Sequence, residues 1–252
     1  MGNLFYITSD QVAEIKQNTI GVTCEGTCQG TGFLLKGFNL EDCTCSKDFL
    51  RVVSYVGSGI PKKYWDFDLR HLIPEFLTNN KISLSIIDKF RTDIQKATDQ
   101  GIGLYIQGAS GVAKTSLAFY IMKTALDKDI PCYAIRMSQL TKLLFESLTN
   151  EDKKQQLDFI KNTTKLLLID EIEKDYNVGD TGKFAGTQVN EFFSYIYDSQ
   201  KSLIITSNLP KAELRHVHAF NIIDRLQELI DVILVGESFR NYDTNLQKLM
   251  NS

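Results

Sequence analysis

The chain has 252 residues, 43% hydrophobic and 23% charged, which is enough apolar side chain for a folded core and excludes a disordered chain, a collagen-like repeat or a coiled-coil rod. Lys and Arg number 28 against 31 Asp and Glu, a net charge of -3, so no whole-molecule positive field draws in nucleic acid and any such contact must be local. No run of about 18 apolar residues exists, the start MGNLFYITSD lacks the basic end and apolar stretch of a signal peptide, and Tyr6 stands where N-myristoylation wants Ser or Thr; a cytoplasmic protein with no membrane partner is expected.

Residues 9–18 (SDQVAEIKQN) predict a short helix capped by Ser9 or Asp10, with Val12 and Ile15 on one face. Four of the five cysteines, Cys24, Cys28, Cys43 and Cys45, then follow in the spacing C-x3-C-x14-C-x-C. In a reducing compartment four close thiolates suit tetrahedral zinc better than disulfides, and Gly26, Gly30 and Gly32 let the backbone fold tightly around an ion; four thiols without a metal are the alternative. So few residues cannot bury a core without such a staple. Residues 1–48 are therefore expected to form a helix and a zinc module that binds a partner, and residues 49–75, punctuated by Gly57, Gly59, Pro61 and Pro74, a connector. Lys62, Lys63, Tyr64 and Trp65 interleave cations with aromatics as single-strand DNA binders do, but the reading preferred here is a connector packing its aromatics on the following domain.

Residues 76–252 alternate helix and strand. Residues 82–100 have apolar side chains at helical spacing, 103–107 (GLYIQ) form a short strand, and 115–128 a helix. Strands follow at 131–137, 165–172, 201–208 and 231–236, with helices at 138–148, 151–162, 184–200 and 220–230 between them. This alternation predicts an α/β domain of three layers around a parallel sheet. Cys132 and the stripe Val189, Phe192, Phe193 and Ile196 read as core, and His216 and His218 as surface residues. The stretch EKDYNVGDTGKF is long for an α/β connection, as a solvated loop or one that meets DNA or a partner would be.

GASGVAKTS, set between strand and helix, reads as a phosphate-binding loop rather than an inert Gly-rich turn: Gly108, Ala109, Ser110, Gly111, Val112 and Ala113 are expected to curl backbone N–H groups around a triphosphate. Lys114 supplies the cation and Thr115, beside Ser116, the hydroxyl on the Mg2+ side. The loop departs from G-x-x-x-x-G-K-[ST] at Ala113. Asp170 and Glu171 leave the carboxyl end of the apolar run LLLI, where ligands of open α/β sheets bind; Asp170 is expected to hold Mg2+ and Glu171 to polarise the attacking water. Asn208, at the end of LIITSN, is placed to orient that water or the γ-phosphate.

GLYIQGASGVAKTSLA, KLLLIDEI, LIITSNLP, IIDRLQEL and GESFRN together resemble AAA+ P-loop ATPases, and within them the DnaC/DnaI replicative-helicase loaders and the related IstB-type transposition ATPases. GIPKKYWDFD is similar to the connector of that family, and Cys28, Gly30 and Gly32 to its zinc-bearing members. The resemblance implies that Arg225 is an arginine finger reaching a neighbouring subunit, so that the ATPase domains self-associate, and that Arg240 contacts the nucleotide as the sensor-2 arginine. It also implies ATP, Mg2+ and Zn2+ as cofactors, a hexameric replicative DNA helicase and single-stranded DNA as partners, and ATP-dependent loading of that helicase as the function. A transposition accessory ATPase and a non-catalytic adaptor dependent on nucleotide and zinc are the alternatives.

Overall fold

The computed structural model describes residues 11, 15, 33–36, 39–43, 46–174, 182–216 and 220–239. Cys24, Cys28, Cys45 and Arg240 lie outside these. Backbone contacts divide the chain into two compact units, 1–66 and 67–252.

In the first unit, β1 (Phe33–Lys36) and β2 (Asn39–Asp42) pair antiparallel, Phe33 opposite Asp42 and Lys36 opposite Asn39. The buried Cys43 follows, its carbonyl accepting the Ser46 N–H at 2.9 Å as the chain turns into α1 (Ser46–Gly57). This helix occupies ground where the glycines predicted an irregular connector. It forms because Val52 and Val56, four residues apart, present one apolar face to Ile15, with Phe49, Val53 and Trp65 against the same cluster. Gly57 and Gly59 act only at its end, where Gly59 takes φ 73° and the Ile60 N–H reaches the Tyr55 carbonyl at 2.8 Å. Trp65 meets Tyr55 edge to face at 5.8 Å and donates its indole N–H to the Ile60 carbonyl at 2.9 Å, so this aromatic packs within its own unit. Gln11 and Ile15 are helical, as expected, and the Gln11 amide donates to the Val56 carbonyl at 2.8 Å.

The second unit carries β3 (Leu104–Gly108), β4 (Cys132–Arg136), β5 (Leu166–Asp170), β6 (Ser202–Ser207) and β7 (Ile230–Leu234) in the spatial order β4-β5-β6-β3-β7, with parallel pairing throughout. Five strands stand where the alternating pattern placed them. The helices are α2 (Pro74–Asn79), α3 (Lys81–Thr92), α4 (Ile94–Asp99), α5 (Lys114–Asp127), α6 (Met137–Glu146), α7 (Glu151–Thr163), α8 (Gly182–Asp198) and α9 (Phe220–Leu226). Side chains alternate across the sheet: Tyr105, Ile135, Leu167, Ile169 and Ile205 enter one apolar cluster with Leu140, Ile160, Val189 and Phe192 of the helices. Leu104, Ile106, Leu166, Leu168 and Ile204 point the other way and are fully buried, as are Leu117, Ile121 and Met122 of α5. Both faces are covered, which is the three-layer α/β arrangement. Burial also pushes the Cys132 thiol pKa up, in keeping with a core residue.

Residues 82–100 do not form one helix. The chain leaves helical geometry at Asp93 (φ −97°, ψ 24°) and restarts as α4, which keeps both Phe90 and Ile94 buried. Among the described residues no helix is long and apolar enough to cross a membrane.

At the outer edge of β7 the neighbouring helix supplies what a further strand would. Asn80, 2% exposed, donates its amide to the Val235 carbonyl at 2.8 Å and accepts the Val235 N–H at 2.8 Å, while the Ser83 hydroxyl donates to the Ile233 carbonyl. Asn80→Ala leaves these buried groups unmatched and is expected to lower stability by about 2–3 kcal/mol, measured by chemical denaturation.

Candidate functional site

Because β6 lies between β5 and β3 and all three run parallel, their carboxyl ends stand side by side. β3 delivers the glycine-rich loop, β5 delivers Asp170, and β6 delivers Asn208 between them.

The loop turns in the left-handed region twice, at Gly111 (φ 87°) and Ala113 (φ 63°), before α5 begins at Lys114. Ala113 therefore has the backbone conformation that the missing glycine would adopt without strain. Val112 is fully buried and anchors the loop to the core. A Cβ at Gly111 would run into the Ser238 hydroxyl, and the Phe239 N–H donates to the Gly111 carbonyl at 3.0 Å, so residues 236–239 lie against the loop. Phe239 is held in turn by Phe76, ring to ring at 5.1 Å.

Lys114 is 8% exposed although it carries an ammonium group. Its Nζ donates to the Gly108 carbonyl at 2.8 Å, the Ala109 carbonyl at 2.7 Å and Asn208 Oδ1 at 2.8 Å, three acceptors for three N–H groups. Asp170, also 8% exposed, accepts on one oxygen from the Thr115 hydroxyl at 2.7 Å and the Thr206 hydroxyl at 2.6 Å. The hydroxyl and carboxylate assigned to magnesium thus touch each other, a pair of hard oxygen donors of the kind that cation takes alongside phosphates and water.

Glu171 follows at φ 56°, a strained conformation for a non-glycine residue, with its N–H on Thr206 Oγ1 at 3.0 Å and its carboxylate on Lys174 at 2.8 Å. Beyond it Glu173 reaches Asn208, whose backbone N–H donates to Glu173 Oε1 at 3.1 Å and whose side-chain amide donates to the same oxygen. Tyr105 of β3, fully buried, donates its hydroxyl to the Leu209 carbonyl at 2.7 Å, and burial pushes its phenol up to about 12.

The structure brings Lys114, Thr115, Asp170, Glu171 and Asn208 together. Arg225 on α9 is elsewhere: it donates to the Ser194 hydroxyl and lies over the Tyr197 ring at 5.3 Å, and none of these contacts involves the phosphate loop. Sequence reasoning missed Thr206 and Glu173. Thr206 was within reach, since it lies two residues before Asn208 on an extended strand and so shares its face. Glu173 had only its acidity as a signal. Among the described residues no group of three or more His, Cys, Asp or Glu is arranged to hold a metal ion, and of the four cysteines assigned to zinc only Cys43 is described.

A parallel sheet with a lysine-bearing glycine loop at one strand end, a paired hydroxyl and carboxylate at the next but one, and helices on both faces is an α/β fold of P-loop type. Among solved structures the likeness is to the DnaC helicase loader (22% identity over 69% of this chain and 100% of that one, TM-score 0.59) and to DnaI (20%, 71% and 94%, TM-score 0.56). DnaA bound to AMPPCP and single-stranded DNA is also similar (16% identity, TM-score 0.52), with 72% of this chain spanning 56% of that one. No family model matches the chain, and neither does any curated protein sequence. At these identities the shared property is the fold.

Left-handed backbone costs an L-residue about 1–2 kcal/mol, and glycine returns part of that gain as chain entropy, so Ala113→Gly is expected to stabilise the protein by about 0.5–1 kcal/mol. Thermal melting checks this, and a lowered midpoint contradicts it.

Proposed function

We propose that the chain is an ATP-dependent loader of a hexameric replicative DNA helicase onto single-stranded DNA. The observation that carries the reading is the convergence of Lys114, the Thr115–Asp170 pair and Asn208 at three adjacent strand ends, in a fold shared with DnaC and DnaI. The Lys114 ammonium would move from loop carbonyls onto the β/γ-phosphates, with the N–H groups of residues 108–116 around them. Thr115 and Asp170 would hold Mg2+, which neutralises phosphate charge. Glu171 would leave Lys174 to orient the attacking water, and Asn208 would meet the terminal phosphate. Arg225 would act on a neighbouring subunit, which accounts for its place on α9 away from its own loop, and Arg240 would complete the nucleotide site.

Lys114→Ala is expected to lose ATP binding by at least about a hundredfold, read by fluorescence anisotropy with a labelled nucleotide. Glu171→Gln should bind ATP like the parent yet lose DNA-stimulated hydrolysis; full binding with no hydrolysis in the parent would instead favour the adaptor. Arg225→Ala should spare binding and depress turnover, and mixing it with Glu171→Gln should restore activity at interfaces that pair an intact finger with an intact acid.

For the first unit we retain one zinc ion held by Cys24, Cys28, Cys43 and Cys45, supported by the thiolate chemistry of the set and the buried Cys43 that joins β2 to α1. Elemental analysis of protein purified without chelator should find about one zinc per chain, unchanged by Cys132→Ser, and near-zero content refutes it. Residues 1–55 are expected to grip the helicase and 56–252 to keep ATP-dependent single-strand binding. Co-elution and anisotropy with variants of the full chain altered in either region test this division.

A further inference from the structure

The Asn208 side chain is held from both ends. Its amide nitrogen faces Glu173 Oε1 and its amide oxygen faces the Lys114 ammonium at 2.8 Å. The reverse orientation would set an oxygen against a carboxylate and an NH2 against an ammonium, so the surrounding charges fix this one. The same Glu173 oxygen also accepts the Asn208 backbone N–H at 3.1 Å, and the other, Oε2, is buried without a hydrogen-bond partner. An anionic group with an unmatched buried oxygen is thus clamped on the Asn208 amide, whose other end meets Lys114.

We propose that Glu173 is a positioning residue that occupies the Asn208 amide in competition with the terminal phosphate of ATP, so that the resting site discriminates against ATP relative to ADP. This rests on the nucleotide reading above. A γ-phosphate at Lys114 and Asn208 must displace the Glu173 carboxylate and meets its charge, whereas a diphosphate leaves the clamp undisturbed. Contact between Glu173 and Asn208 is therefore a brake on entry into the triphosphate-bound state, acting through the amide and not on the reacting atoms.

The test compares binding of a hydrolysis-resistant ATP analogue and of ADP, each with Mg2+, by titration calorimetry on the full chain. Glu173→Ala removes the clamp and should tighten the analogue roughly tenfold while leaving ADP within about twofold of the parent. Glu173→Gln keeps a neutral acceptor and should fall between. In an Asn208→Ala background the gain should vanish, as coupling through that amide requires. Unchanged or weaker analogue binding by Glu173→Ala, equal tightening of ADP, or persistence of the gain without Asn208 each overturns the proposal. Retained ADP affinity shows that the variants are folded. A parent that binds neither nucleotide, with Lys114→Ala no different, overturns the nucleotide reading itself, a result distinct from a parent that binds both and a clamp that makes no difference.

Discussion

A lysine ammonium taken almost wholly out of water at the first turn of a helix is a costly arrangement, since desolvation and the positive end of the helix dipole both oppose it. It holds here because three oxygens from two strand ends surround Lys114 Nζ. The arrangement reaches outward: the Gly108 and Ala109 carbonyls face Nζ from a loop that turns left-handed at Gly111 and Ala113, and Asn208 stands beside that loop because β6 lies next to β3. The acids of β5 then fall one strand further on. A site built this way holds its positive charge on neutral acceptors.

The motif-bearing strands were legible because their chemistry and their burial coincide. KLLLIDEI reads as a strand through its apolar run and as a site through the acids that end it, and both properties hold at Leu166–Asp170. α1 was hidden because Gly57 and Gly59 were weighted as breakers along a whole segment, when they only close a helix that Val52 and Val56 stabilise by packing on Ile15. The break at Asp93 was hidden for the opposite reason, since apolar spacing continued across it and both Phe90 and Ile94, on either side of the break, are buried. Within the site, the residues named by motif chemistry were found together, whereas Glu173 follows no period or spacing rule and is placed by the left-handed turn at Glu171.

The two acids after Asp170 divide unlike tasks between like groups. Glu171 is neutralised by Lys174 beside it in the chain, an ion pair that is solvent-accessible and weak, while Glu173 is bound to a strand end through two donors. The residue expected to do chemistry is thus loosely held and the one that restrains Asn208 is firmly held. Both stand on the same short turn, so a shift of its backbone would act on them together.

The lateral edge of β7 has a consequence for assembly. Asn80 and Ser83 occupy the Ile233 carbonyl and both backbone groups of Val235, so the carboxyl end of this edge offers no free ladder at those groups on which another chain could add a strand. Two small polar side chains thus blunt the end of the edge against growth by sheet extension. Along that stretch another copy of the chain could meet this side only through side chains, a contact that forms and parts without rebuilding backbone hydrogen bonds.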